Sequence, residues 1–122
     1  MKIPIYVDSP MAVQATEAFQ ANSSSFNEEA KNLILKGDNP FLFTNLRYIK
    51  SQEESMALNK YEFPKVIISS SGMATAGRIR HHLKHNLWDE KNSLVFVGYQ
   101  AEGTLGRIIL NGAKNVKILG EE

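Results

Sequence analysis

The run Lys65-Val66-Ile67-Ile68-Ser69-Ser70-Ser71-Gly72-Met73-Ala74-Thr75-Ala76-Gly77-Arg78 decides the fold. Lys65–Ser69 is short and β-branched, with small polar residues after it, and reads as a buried-type strand. Ser69–Gly77 is a polar loop, and beyond it Ile79, Leu83 and Leu87 recur at helical spacing. Strand, small-residue turn and helix in that order are the repeating piece of a βαβ crossover.

The same alternation continues on both sides. Ile3–Val7 reads as a strand, and Asp8-Ser9-Pro10 opens a helix with Ser9 as cap and Pro10 at its first position. Met11, Ala12, Ala15 and Phe19 are the expected apolar face of that helix. Ser25-Phe26-Asn27-Glu28 is a capping box for a helix that carries Phe26, Ala30, Leu33 and Ile34 and stops at Gly37. A loop over Asp38–Asn45 leads to a strand at Leu46–Lys50. Ser51-Gln52-Glu53-Glu54 repeats the capping box ahead of a helix with Met56 and Leu58. Further along, Ser93–Gly98 is a strand, Leu105, Ile108 and Ile109 mark a helix closed by Gly112, and Val116–Leu119 is the last strand. The pattern predicts an α/β three-layer sandwich, with a mostly parallel sheet of about five strands flanked by helices.

At 122 residues, 43% hydrophobic and 22% charged, the chain is one domain's worth of globular sequence. No apolar run approaches the ~20 residues of a membrane span, and no basic-then-apolar leader opens the chain. There is no cysteine, hence no disulfide and no thiolate metal site, which fits a cytoplasmic protein. The net charge of +1 does not by itself point to a polyanion. A basic stripe does stand at Arg78, Arg80 and Lys84, with His81, His82 and His85 between them. It reads either as a solvated helix face or as a partner surface.

Ligands collect beyond the carboxyl ends of the strands in such sheets, and three turns belong there. In Asp8-Ser9-Pro10 the acid either favours the helix dipole or holds a ligand. Ser69–Gly77 offers hydroxyls, glycines and backbone N–H groups ahead of a helix, the makings of an anion site, with Arg78 adjoining. Gly98-Tyr99-Gln100-Ala101-Glu102-Gly103-Thr104-Leu105 has the glycine spacing of a P-loop but lacks its lysine, so NTP hydrolysis is not expected. His81/His85 and His82/His85 are spaced to share a metal on a helix, but no H-E-x-x-H carboxylate accompanies them. Surface or interface histidines are the simpler reading. No G-x-S-x-G and no Ser–His–acid set is present, so no catalytic residue is assigned.

Ile5-Tyr6-Val7-Asp8-Ser9-Pro10-Met11-Ala12, Val66–Met73 and Phe96-Val97-Gly98-Tyr99-Gln100-Ala101-Glu102-Gly103-Thr104-Leu105-Gly106 together resemble a β-CASP domain, in order and over nearly the whole chain. The resemblance implies a single cap domain over 1–122, inserted in a longer metallo-β-lactamase-fold nuclease of the RNA-processing branch. It implies two zinc ions in the lactamase part, which lies outside this chain. The lactamase motif H-x-H-x-D-H is missing here, so no metal ligand is carried over. On the likeness, Ser69, Ser70, Ser71, Gly72 and Met73, then Arg78, then Tyr99, Gln100, Glu102, Gly103 and Thr104 are expected to bind substrate. The expected partners are single-stranded RNA, bound weakly by this chain alone, and the lactamase domain, with self-association through the face that domain would cover. A stand-alone nucleotide- or anion-binding α/β module is the alternative.

Overall fold

A computed structural model describes residues 3–21 and 45–122. The expected helix over Phe26–Ile34 and the loop after it lie outside the described residues. The chain divides into two compact units, Met1–Lys50 with Phe63–Ile68, and Ser51–Glu62 with Ser69–Glu122.

The first unit is built on a three-stranded sheet. Strand β1 (Ile5–Asp8) is central, with β2 (Leu46–Tyr48) and β3 (Val66–Ser69) on either side of it. β1 and β2 run parallel with Ile5 opposite Leu46, Tyr6 opposite Arg47 and Val7 opposite Tyr48. Asn45 sets the entry to β2: its carbonyl accepts from Ile5 N at 2.9 Å, and its side-chain amide donates to the Ile3 carbonyl at 2.6 Å. On the other side, Val66 N donates to the Pro4 carbonyl at 3.0 Å. Helix α1 (Pro10–Ala21) begins where the sequence places it, with Ser9 Oγ accepting from Ala12 N at 3.3 Å. Its phase differs from expectation. Val13 is buried, whereas Met11 is 79% exposed and Ala15 also faces out. The buried Ser9 cap starts the helix turned so that Ala12, Val13 and Thr16, three and four residues apart, share the inner side.

The strand at β3 is likewise not buried on both faces. Val66 and Ile68 are exposed and Ile67 and Ser69 half-buried, the alternation of an edge strand with one open face. Before it, the Lys65 ammonium sits 4.9 Å from the Phe63 ring centroid. Desolvation by burial holds the Lys65 pKa below the ordinary lysine value.

The second unit holds helices α2 (Gln52–Leu58), α3 (Ile79–Asn86) and α4 (Leu105–Leu110). The Ser51 cap of α2 forms, with Oγ accepting from Glu54 N at 3.1 Å. That helix buries Leu58 and Ser55, while Met56 points to solvent. The core gathers Ala74, Leu83 and Ile118, with Ile79, Leu87, Leu94, Leu105, Ile109, Val116 and Leu119 packed around them. α3 therefore presents the expected Ile79–Leu83–Leu87 stripe inward.

Five strands are expected and three are found among the described residues. Leu94–Val97 alternates as a strand does, with Leu94 and Phe96 half-buried and Val95 and Val97 out, but no ladder is assigned to it. Val97 is 98% exposed. Near the end of the chain Ile118 and Glu121 exchange two backbone hydrogen bonds of 2.7 and 3.1 Å across Leu119-Gly120. Both turn residues have positive φ, 53° and 82°, as a type I′ turn requires, so this segment ends in a tight reversal. No described helix is long and apolar enough to cross a membrane.

Candidate functional site

The serine turn is shaped from within. Ser71 N donates to the Ala76 carbonyl at 3.0 Å, Ser71 Oγ donates to the same carbonyl at 3.0 Å, and Ala76 N donates back to Ser71 Oγ at 3.1 Å. Thr75 Oγ1 lies 3.4 Å from Ser71 Oγ. The Ser71 hydroxyl thus acts as a strut across the turn, with its proton committed. Ile79 N donates to the Ser70 carbonyl at 3.0 Å, tying the turn to the start of α3. Gly77, at φ +83°, is required: a Cβ there would strike the Ser70 carbonyl oxygen and come within 2.9 Å of its carbon. Ala74 also has a positive φ, 58°, and only 1% of it is exposed, so a small side chain fits where the backbone turns left-handed inside the core.

The glycine turn leads into α4. Thr104 caps that helix: Oγ1 accepts from Arg107 N at 3.2 Å and donates to the Ala101 carbonyl at 2.6 Å. Arg107 reaches back to the Gln100 carbonyl at 2.9 Å. At the far end Gly112, at φ +85°, closes α4 in a Schellman motif. Its N–H donates to the Ile109 carbonyl at 2.9 Å and that of Ala113 to the Ile108 carbonyl at 3.3 Å.

The two turns are fastened to one another by Gln100, which is 2% exposed. Its Nε2 donates to the Gly72 carbonyl at 2.9 Å and to the Gly98 carbonyl at 3.0 Å, so these two carbonyls lie side by side. Gly106 N donates to the Met73 carbonyl at 2.8 Å. Gln100 Oε1 is buried against Gly106 without a hydrogen-bond partner. A Cβ on Gly106 would strike that oxygen and come within 2.9 Å of the Met73 carbonyl oxygen.

Four glycines therefore divide into two kinds. Gly77 and Gly106 are pressed against backbone, whereas a Cβ on Gly72 or Gly98 would meet nothing within 4 Å. Gly106→Ala is expected to cost about 1–3 kcal/mol of stability by overpacking. Gly72→Ala, in open space, is expected to stay within about 0.5 kcal/mol of the parent. Urea denaturation of both variants checks the contrast, and equal losses would contradict it.

The residues expected to bind substrate sort accordingly. Ser70, Gly72, Tyr99, Glu102 and Gly103 are exposed, and Tyr99 presents 73% of its surface. Ser71 and Thr104 use their hydroxyls inside the turns, and Gln100 is a buried fastener. Met73 contributes its carbonyl to the joint, Ser69 ends β3, and Arg78 is half-buried at the start of α3. Asp8 is buried and belongs to the end of β1 in the other unit.

The histidines separate as well. His82 faces inward and is 4% exposed. Asn59 Oδ1 lies 3.0 Å from its Nδ1 and also accepts from Asn86 Nδ2 at 2.9 Å, so Nδ1 carries a proton; Ser55 Oγ lies 3.5 Å from Nε2. His81 and His85 face solvent, so the His82/His85 pairing is not formed. No group of three His, Asp or Glu side chains suited to a metal occurs among the described residues. These residues do not fit a zinc centre. Sequence reasoning missed the Gln100–Gly106 joint; its one local signal is a glycine in the first turn of a helix.

The serine and glycine turns are thus joined to one another at Gln100 and Gly106. The chain belongs to the Beta-Casp domain family, whose model matches residues 1–109. It is 46% identical over 121 residues to ribonuclease TTHA0252 of Thermus thermophilus, covering 99% of the chain and 28% of that protein. It is 40% identical over 117 residues to transcription termination factor FttA of Methanocaldococcus jannaschii, covering 95% and 18%. An RNase J-like protein of the same organism is 39% identical over 115 residues, covering 94% of the chain and 25% of its own length. The chain thus spans less than a third of these relatives.

Proposed function

We propose that residues 1–122 act as one cap domain of a longer, zinc-dependent metallo-β-lactamase-fold ribonuclease, holding single-stranded RNA while the lactamase part hydrolyses a phosphodiester. The carrying observation is the Gln100 joint, which brings the open backbone of Gly72 and Gly98 together beside the exposed Tyr99 ring. Bare glycine backbone lets a phosphate approach closely, and an exposed aromatic offers a face for a base. The relatedness to a ribonuclease supports RNA as the substrate class. Ser70 and Arg78 add polar contacts in this reading, whereas the charge of Glu102 suits a base edge or ribose hydroxyl better than a phosphate. Gln100, Ser71 and Thr104 hold the rim in shape.

Chemistry that needs zinc belongs to the lactamase part, and no step of it is routed through this chain. A cytoplasmic location and a five-stranded sheet completed by 93–98 and 116–119 belong to the same proposal. So does self-association of the cap when its lactamase partner is absent.

The test uses the full-length parent protein and labelled single-stranded RNA. Tyr99→Ala is expected to weaken binding about 5- to 100-fold, the range for losing one stacked base, without lowering the melting temperature. Unchanged affinity would remove Tyr99 and the joined turns from the substrate path. The cap alone should bind weakly, and its affinity should fall steeply with salt.

A further inference from the structure

α3 has two unlike faces. Its inner side carries the buried His82 and Leu83. Its outer side carries His81, Lys84, His85 and, in the turn that prolongs the helix, Trp88. These stand at positions i, i+3, i+4 and i+7 and so form one stripe. His81 and His85 are exposed, and Trp88 is 79% exposed, unusual for the residue type that buries the most surface. The indole is not loose: Nε1–H donates to the His85 carbonyl at 2.9 Å, holding the ring on the last turn with its surface to solvent. Lys84 pairs with Glu121 Oε1 at 2.8 Å across an exposed surface. Such pairs contribute little, and the ammonium keeps two further donors. Asp89 and Glu90 stand next to Trp88, and Asp89 Oδ1 already accepts from Lys91 N at 3.0 Å.

We propose that this outer stripe of α3 is a second contact for single-stranded RNA, taking nucleotides that flank those held at the joined turns. The inference rests on the reading of those turns. α3 follows the serine turn directly through Gly77 and Arg78 and runs for roughly 12 Å, so in this proposal RNA held at that turn has the helix as its next neighbour. Cationic and hydrogen-bonding side chains suit its phosphates, and a pinned, open indole suits a base whatever its identity. An exposed apolar ring beside basic groups would also suit an acidic protein surface. The continuity with the serine turn favours the RNA.

The experiment measures dissociation constants of the full-length parent for two labelled oligoadenylates, phosphorothioate-linked to resist cleavage, about 4 and about 16 nucleotides long. The wild type is expected to prefer the longer one. Trp88→Ala should weaken the longer RNA about 5- to 50-fold and leave the shorter within twofold, with Trp88→Phe restoring most of the loss. Lys84→Ala should reduce the salt dependence of the longer RNA by about one ion. Equal losses on both RNAs would show Trp88 acting through the fold and overturn the proposal. No loss on either would leave the stripe to a protein partner and overturn it too, with the turns unaffected. A wild type that binds neither RNA would remove both this proposal and the reading on which it rests.

Discussion

Gly77→Ala is expected to destabilise the chain by about 2–5 kcal/mol, as read by urea denaturation or by loss of soluble protein. Two independent costs add. A non-glycine residue at φ +83° carries a left-handed penalty of about 1–2 kcal/mol. The added methyl also strikes the Ser70 carbonyl. That carbonyl cannot simply move, because it accepts from Ile79 N and so fixes the first turn of α3. Relief would require either breaking that bond or opening the turn, and overpacking of this kind costs about 1–3 kcal/mol more. A stability within 1 kcal/mol of the wild type would mean that the serine turn is far softer than its hydrogen bonds imply.

His82→Ala is expected to cost about 3–5 kcal/mol. The imidazole fills buried space beside Leu83, and truncating a side chain of that size leaves a cavity. Its loss also removes the Nδ1–H that Asn59 Oδ1 accepts, and leaves Ser55 Oγ without the ring nitrogen it faces. Asn59 keeps its bond from Asn86, so part of the network survives. Chemical denaturation with a His81→Ala control separates the two kinds of histidine. The exposed His81 should change stability by about 0.5 kcal/mol or less. Comparable losses for the two variants would contradict the inward placement of His82.

Local signals were legible in the sequence because their causes are local. The caps at Ser9 and Ser51 are each set within four residues, and Gly112 closes α4 where a left-handed residue is needed. The family resemblance also rests on contiguous turns, and the family model matches over residues 1–109. Helix phase was less legible. Met11 and Met56 look like core residues by type, but Val13 and the small polar Ser55 take the inner positions. At 93–98 the alternation records which side chains turn inward but says nothing of a hydrogen-bonding neighbour, and no ladder is assigned there. The joint at the candidate site was illegible for a different reason. Gln100 meets Gly72 across 28 residues, and an amide in a polar turn looks like a ligand contact until its partners are seen. Trp88 was silent because a lone tryptophan carries no sign of whether it faces in or out.

Helix α4 has six residues, and a segment that short does not hold its shape in water on its own. It exists because Thr104 and Gly112 close its ends and because Gly106 rests on the Met73 carbonyl, 33 residues earlier in the chain. α4 therefore owes its stability to the serine turn more than to its own sequence. An opening that parts the two turns is expected to unfold α4 with them, so the α4 amides should exchange hydrogen together with those of the serine turn.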